Sequence, residues 1–253
     1  MQNLTRRSFI KQSATTAAGI GAAGSLSTWA EVKGANDDIR VAIIGHNGKG
    51  RNHLSQFIGR VKGCRVVAIC DADSRVMDRD KENYFTKNSK KVKTYQDLRE
   101  VMDDKEIDAI VTATPNHWHS LVGIMACQSG KDAYVEKPIS HNIWEGRQLA
   151  NAAEKYDRVV QTGTQNRSDA GHISAIRYIQ SGKLGRIKWS RGLCYKRRSS
   201  IGKVKSPMEI PGHIDYNLWC GPAPKKPMMR SRFHYDWHWV WDTGNGDLGN
   251  QGI

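Results

Sequence analysis

Between Asp37 and Val160 the apolar and polar positions fall into a repeating alternation. Short, nearly unbroken apolar runs at Ile39–Ile44, Arg65–Cys70, Ile107–Ala113 and Asp132–Val135 alternate with longer stretches whose apolar residues recur every three or four positions. A brief apolar run bounded by turn residues reads as a strand buried on both faces, and the amphipathic stretches read as helices. The pattern predicts helices from about Arg51 to Arg60, from Ser74 to about Lys87, and over Tyr95–Asp104, Asn116–Gly130 and Asn142–Tyr156. Short strands at Val92–Thr94 and Arg158–Gln161 bring the count to about six. Strands alternating with helices in this way make a doubly wound parallel sheet, the α/β class.

After Gln161 the pattern changes. Ser168–Ser181 predicts a helix, stopped by Gly182-Lys183-Leu184-Gly185, and Arg186–Arg198 alternates like a strand of a second, mainly antiparallel sheet. Residues 199–227 hold five of the seven prolines and predict loop. Phe233, Tyr235, Trp237, Trp239 and Trp241 then fall at every second position, so a strand would put all five rings on one face. Such a face could stack on a sugar, but sheet core or subunit interface is the commoner use of the stripe and is the expectation. His234, Asp236 and His238 would share the opposite face; no other feature supports a metal there, and none is predicted. The organisation expected is a leader over 1–30, a nucleotide-binding domain over 37–160, and an incomplete α+β domain over 161–253.

Composition narrows this only slightly. A chain of 253 residues with 38% hydrophobic residues and a mean hydropathy of −0.62 is long enough for one large or two modest globular domains. Removing Arg6, Arg7 and Lys11 from the formal charge of +14 leaves +11 on residues 31–253, dispersed except at Lys87–Lys93, Lys196–Arg198 and Lys225-Lys226. No nucleic-acid motif accompanies these clusters, so no nucleic-acid partner is predicted. Five widely spaced cysteines without a CxxC pair exclude a disulfide framework and a zinc site. Cys64, Cys70 and Cys127 lie in apolar runs and read as buried small hydrophobes. Thr5-Arg6-Arg7-Ser8-Phe9-Ile10-Lys11, a mild apolar run from Ala14 to Ala23 and small residues to Ala30 resemble a twin-arginine signal peptide. The apolar run is too short for a membrane span. Export to the periplasm, or otherwise out of the cytoplasm, through the twin-arginine machinery is the expectation.

The candidate chemistry lies at the strand ends. Gly45-His46-Asn47-Gly48-Lys49-Gly50 joins the first strand to the first helix, with Gly45 and Gly50 in the outer positions of GxGxxG and Asn47 in the middle one. Backbone N–H groups at such a helix start receive a pyrophosphate. Asp71 closes the second strand, where a carboxylate accepts hydrogen bonds from a ribose and repels a 2′-phosphate. NAD is therefore favoured over NADP, with Arg75 the feature that could reverse this; a plain helix cap at Asp71 or Asp73 is the simpler alternative. Thr114-Pro115-Asn116 and His119 follow the strand at Ile107 and face the crevice of such a sheet.

The runs Thr112-Ala113-Thr114-Pro115-Asn116-His117 and Tyr134-Val135-Glu136-Lys137-Pro138 resemble the glucose–fructose oxidoreductase, inositol dehydrogenase and MocA-like family, over residues 39–253. The Pro-Asn-His-Trp-His run, the Gly221-Pro222-Ala223-Pro224 turn and the terminal Gly-Asn-Gln-Gly are similar to its exported branch. The resemblance implies a Rossmann domain, a nicotinamide cofactor and a sugar or cyclic polyol substrate. It also implies a homo-oligomer when the protein is full length, and no metal. Lys137 would be the acid/base group, since burial beside an oxidised nicotinamide lowers an amine's pKa; a cis peptide at Pro138 would aim it. Glu136 would orient it or touch the cofactor, and His117 and His119 would either contact the nicotinamide ribose or pack and cap. The family's catalytic histidine would fall four positions after Asn250, one past Ile253, so the chain is expected to be a C-terminally truncated piece, with Asn250 orienting substrate or that histidine. Two further readings stay open: a glycoside hydrolase that uses bound NAD for transient oxidation and elimination, and a non-catalytic fragment with an open sheet edge.

Overall fold

A computed structural model describes residues 38–195 and 197–252; the twin-arginine segment lies outside the described residues. Six strands form one parallel sheet: β1 (Ile39–Ile44), β2 (Cys64–Cys70), β3 (Lys93–Tyr95), β4 (Ala109–Thr112), β5 (Asp132–Glu136) and β6 (Val160–Gly163). Their order is β3-β2-β1-β4-β5-β6, every neighbouring pair is parallel, and the order reverses between β1 and β4. A crevice opens beyond the carboxyl ends of the strands at such a switch point.

Period two along the strands divides the core between the two faces. Ala42 and Ile44 of β1 point into one cluster with Ile110, Val122 and Leu149, whereas Val41 and Ile43 point into another with Leu54, Ile69 and Phe85. Burial of each such side chain contributes on the order of 1.5–3 kcal/mol. Helices α1 (Lys49–Gly59), α2 (Ser74–Tyr84), α3 (Leu98–Asp103), α4 (Asn116–Gln128) and α5 (Ile143–Lys155) cover these faces. Asp73, Asp97 and Asn142 cap α2, α3 and α5, accepting backbone N–H bonds in each first turn.

The remainder is helix α6 (Ala170–Gln180), short helices α7 (Tyr216–Cys220) and α8 (Gly246–Gln251), and irregular chain. Two expectations fail here. The described residues between 186 and 198 form no strand, although the sequence alternates there. Strand backbone needs a hydrogen-bonded neighbour, and the described residues place none beside this segment. The aromatic stripe is likewise not a strand: Tyr235 adopts φ of 72° and Asp236–Trp239 is a 3-10 turn. The rings therefore scatter. Phe233 enters a third core cluster with Ile214, Trp219, Cys220 and Met228, while Trp241 is 90% exposed. That cluster is anchored to the sheet by backbone bonds just past β2, with Ser74 N donating to His213 O and Asp215 N to Ala72 O, both at 2.9 Å. Cys70 and Cys127 are buried as expected, and Cys64 is half-buried.

Candidate active site

The turn after β1 is shaped by two close approaches. Gly45 has φ of 72°, and a Cβ there would lie 2.8 Å from Thr114 N, so β4's end packs directly on the turn. A Cβ at Gly50 would overlap the Gly45 carbonyl, which lets α1 start against the strand. Gly48 precedes the helix with φ of 60° and faces open space. The first turn of α1 has no acidic residue, so its N–H groups and positive dipole end meet an open cleft.

That cleft, about 730 Å³, is bounded by the glycine turn, Asp71, Thr114–Asn116, the Glu136-Lys137-Pro138 turn and α8. Asp71 accepts from His46 N at 3.1 Å and from Asp73 N at 3.0 Å. Two carboxylate oxygens retain capacity for further donors beyond these. Burial pushes its carboxyl above the usual range. The helix cap is Asp73, which leaves Asp71 to the cleft. Arg75 does not line the cleft; Arg99 does, with its guanidinium held by Asp97 at 2.5–3.0 Å.

Lys137 follows β5 through a cis peptide to Pro138, and its Nζ donates to the Asn250 carbonyl. Burial, and after it Lys49, hold the amine below an ordinary lysine's pKa, against the raising effect of Glu136. Glu136 is buried. Burial alone would raise its carboxyl, but the bond from His53 and the charge of Lys49 hold it below the usual range. Asn250 Nδ2 lies 3.5 Å from the Tyr235 hydroxyl, which also accepts from Arg198 at 3.0 Å.

Both ring nitrogens of His119 face carbonyls, Thr114 O at 2.8 Å and Pro138 O at 2.6 Å, so this side chain ties the β4 and β5 turns together. His117 faces Trp219 O at 3.1 Å and Thr243 O at 3.3 Å, and burial lowers its pKa to about 4. These contacts suit packing and capping, one of the two alternatives for these histidines, while His119 also lines the cleft. Asn116 donates to Asn245 Oδ1 at 2.9 Å. His234, Asp236 and His238 diverge, to Asp73, Arg232 and the Tyr235 carbonyl. Among the described residues no three His, Cys, Asp or Glu are grouped to hold a metal.

Sequence reasoning missed Lys49 and His53, which gather around Glu136, and Gln165, which accepts from Lys49. Their signal was weak: a lysine and a histidine four apart on one helix face. Tyr235 and Trp237, for which the stripe favours core or interface over stacking on a sugar, also line the cleft.

Residues 39–164 match an oxidoreductase family with an NAD-binding Rossmann fold, and residues 179–253 match the C-terminal alpha/beta domain of that oxidoreductase family. A glycosyl hydrolase family 109 protein of Shewanella baltica is 30% identical over 207 residues, covering 74% of this chain and 45% of the relative. An inositol 2-dehydrogenase of Salmonella typhimurium is 26% identical over 173 residues, covering 68% of this chain and 50% of the relative. Among solved structures, myo-inositol 2-dehydrogenase from Lactobacillus plantarum superposes with a TM-score of 0.55 at 26% identity, covering 59% of this chain and 43% of that one. The chain thus spans about half the length of the curated relatives it matches.

Proposed function

This chain belongs to the Gfo/Idh/MocA family of oxidoreductases, and on that premise we propose that it transfers hydride between a sugar or cyclic polyol and NAD, outside the cytoplasm. The observation that carries this reading is the placement of a pKa-lowered lysine, Lys137, in one cleft with the glycine turn and Asp71. The residues fit the cofactor. An open helix start with no acidic side chain suits a pyrophosphate, and the spare acceptor capacity of Asp71 suits a ribose diol. When bound, NAD supplies the hydride acceptor.

The chain's own groups do the rest. The turn over Gly45–Gly50 and the N-terminus of α1 bind phosphate, and Asp71 selects against a 2′-phosphate. Thr114, Pro115 and Asn116 shape the wall beside the turn, and His119 holds that wall to the Lys137 turn. Lys137 Nζ takes the proton from the hydroxyl being oxidised, a step for which a lowered pKa suits it. Asn250, whose carbonyl already accepts from that amine, orients it. The twin-arginine pattern at Arg6-Arg7 supports export of the folded, loaded protein.

The test is to denature the purified chain and identify released dinucleotide by mass. NAD in near-stoichiometric amount is expected. NADP would overturn the role of Asp71, and no dinucleotide, even after addition, would overturn the reading. The family 109 relative favours a second reading, glycoside cleavage with NAD regenerated in place. Sugar release without net NADH would select it.

A further inference from the structure

Glu136 is a buried carboxylate in a crowded place, and the chain makes room for it. On β6 a Cβ at Gly163 would lie 2.8 Å from Glu136 Cδ and 2.9 Å from Oε1; a glycine within a strand weakens it and here marks a close approach. Three groups converge on the carboxylate, and a fourth braces one of them. His53 Nε2, from α1, lies 2.8 Å from Oε1, and Lys49 Nζ, from the first turn of α1, lies 3.5 Å from the same oxygen. The Lys137 backbone N–H donates to Oε2 at 3.0 Å. Gln165, just past β6, accepts from Lys49 Nζ at 2.9 Å. An apolar pair of similar volume would stabilise such a spot as well as a buried ionic one does. What the ionic arrangement adds is position: one side chain joins the helix that starts the phosphate turn to the backbone of the acid/base lysine.

We infer that His53 and Glu136 are positioning residues that lock the Lys137 backbone to helix α1 and keep an anion beside its amine. The inference rests on the reading of Lys137 as the acid/base group. The titratable groups whose charge acts on or is acted on by that amine are Glu136, Lys49, Tyr235, His238 and His119. Of these Glu136 is the anion of the cleft floor. Without its charge Lys137 would face Lys49 uncompensated and become neutral at lower pH. Without His53 the carboxylate loses its shortest donor and is no longer held in place beside the Lys137 amine, which then keeps less of its compensating charge. Gln at position 53 keeps a donor of similar reach; Leu does not.

The test uses competitive acetylation of the whole chain across pH, read by peptide mass, which needs no turnover. Lys131, buried far away against the carbonyls of Asp104 and Ile107, is the internal control. In Glu136→Gln the labelling midpoint of Lys137 is expected to fall by about one pH unit while that of Lys131 stays. His53→Leu is expected to shift Lys137 in the same direction, and His53→Gln to stay near wild type. An unmoved Lys137 midpoint, or a parallel shift at Lys131, would overturn the inference. Should Glu136→Gln fail to fold, the His53 pair decides: Leu and Gln behaving alike overturns it. Absence of bound dinucleotide alongside the expected shifts would sink the oxidoreductase reading and leave only the coupling of His53 and Glu136 to Lys137 standing.

Discussion

Lys137 is pulled two ways: burial and Lys49 favour the neutral amine, Glu136 and Tyr235 the ammonium, and burial prevails. For alcohol oxidation the neutral amine is the working form, so the rate should rise with pH and level off below the ~10.4 of a free lysine. Lys137→Met should lower kcat by about 10²–10⁴-fold while the purified protein keeps its dinucleotide; loss of both together would make the residue structural. His117 offers a separate check at this scale. Its pKa falls from 6.5 to about 4 on burial, so the unfolded chain binds more protons in that window. Stability is therefore full above about 6.5, declines as pH drops, and stops declining near 4. Urea unfolding at several pH values should show this slope, and His117→Asn should flatten it.

Among the elements, the glycine turn depends on geometry that adjacent residues cannot relieve. At Gly50 the obstacle is the Gly45 carbonyl, a backbone atom, so Gly50→Ala should cost about 1–3 kcal/mol and abolish dinucleotide binding. Gly59, at the other end of the same helix, meets nothing within 4 Å. Gly59→Ala should leave binding intact and stabilise by up to about 1 kcal/mol. Thermal unfolding of the two variants, with cofactor release, checks both. Elements built from local rules were legible in advance. The apolar runs of β1, β2 and β4, and the helix cap expected at Asp71 or Asp73 and found at Asp73, need only neighbours in sequence. The segments at 186–198 and 233–241 were misread because alternation signals a strand only where a partner strand exists. At Tyr235 a left-handed φ turned the ring toward the cleft instead.

For the whole molecule, the export proposal has its own test. Replacing Arg6 and Arg7 by lysine should trap the protein in the cytoplasm with its leader uncleaved; an unchanged distribution, read by fractionation and intact mass, would reject the twin-arginine reading. A parallel sheet follows from alternating strand and helix with right-handed crossovers, and its order, 3-2-1-4-5-6, is one of those that rule allows. The sequence by itself therefore determined the sheet, its helices, the glycine turn and the strand-end positions of Asp71 and Lys137, because periodicity and turn chemistry act over a few residues. Only the tertiary structure decided which polar groups meet. His53 reaches Glu136 across 83 positions, and His117 reaches Trp219 across 102. Such pairs leave no periodic trace. Their energy comes from exclusion of water at a place that exists only once the strands have assembled.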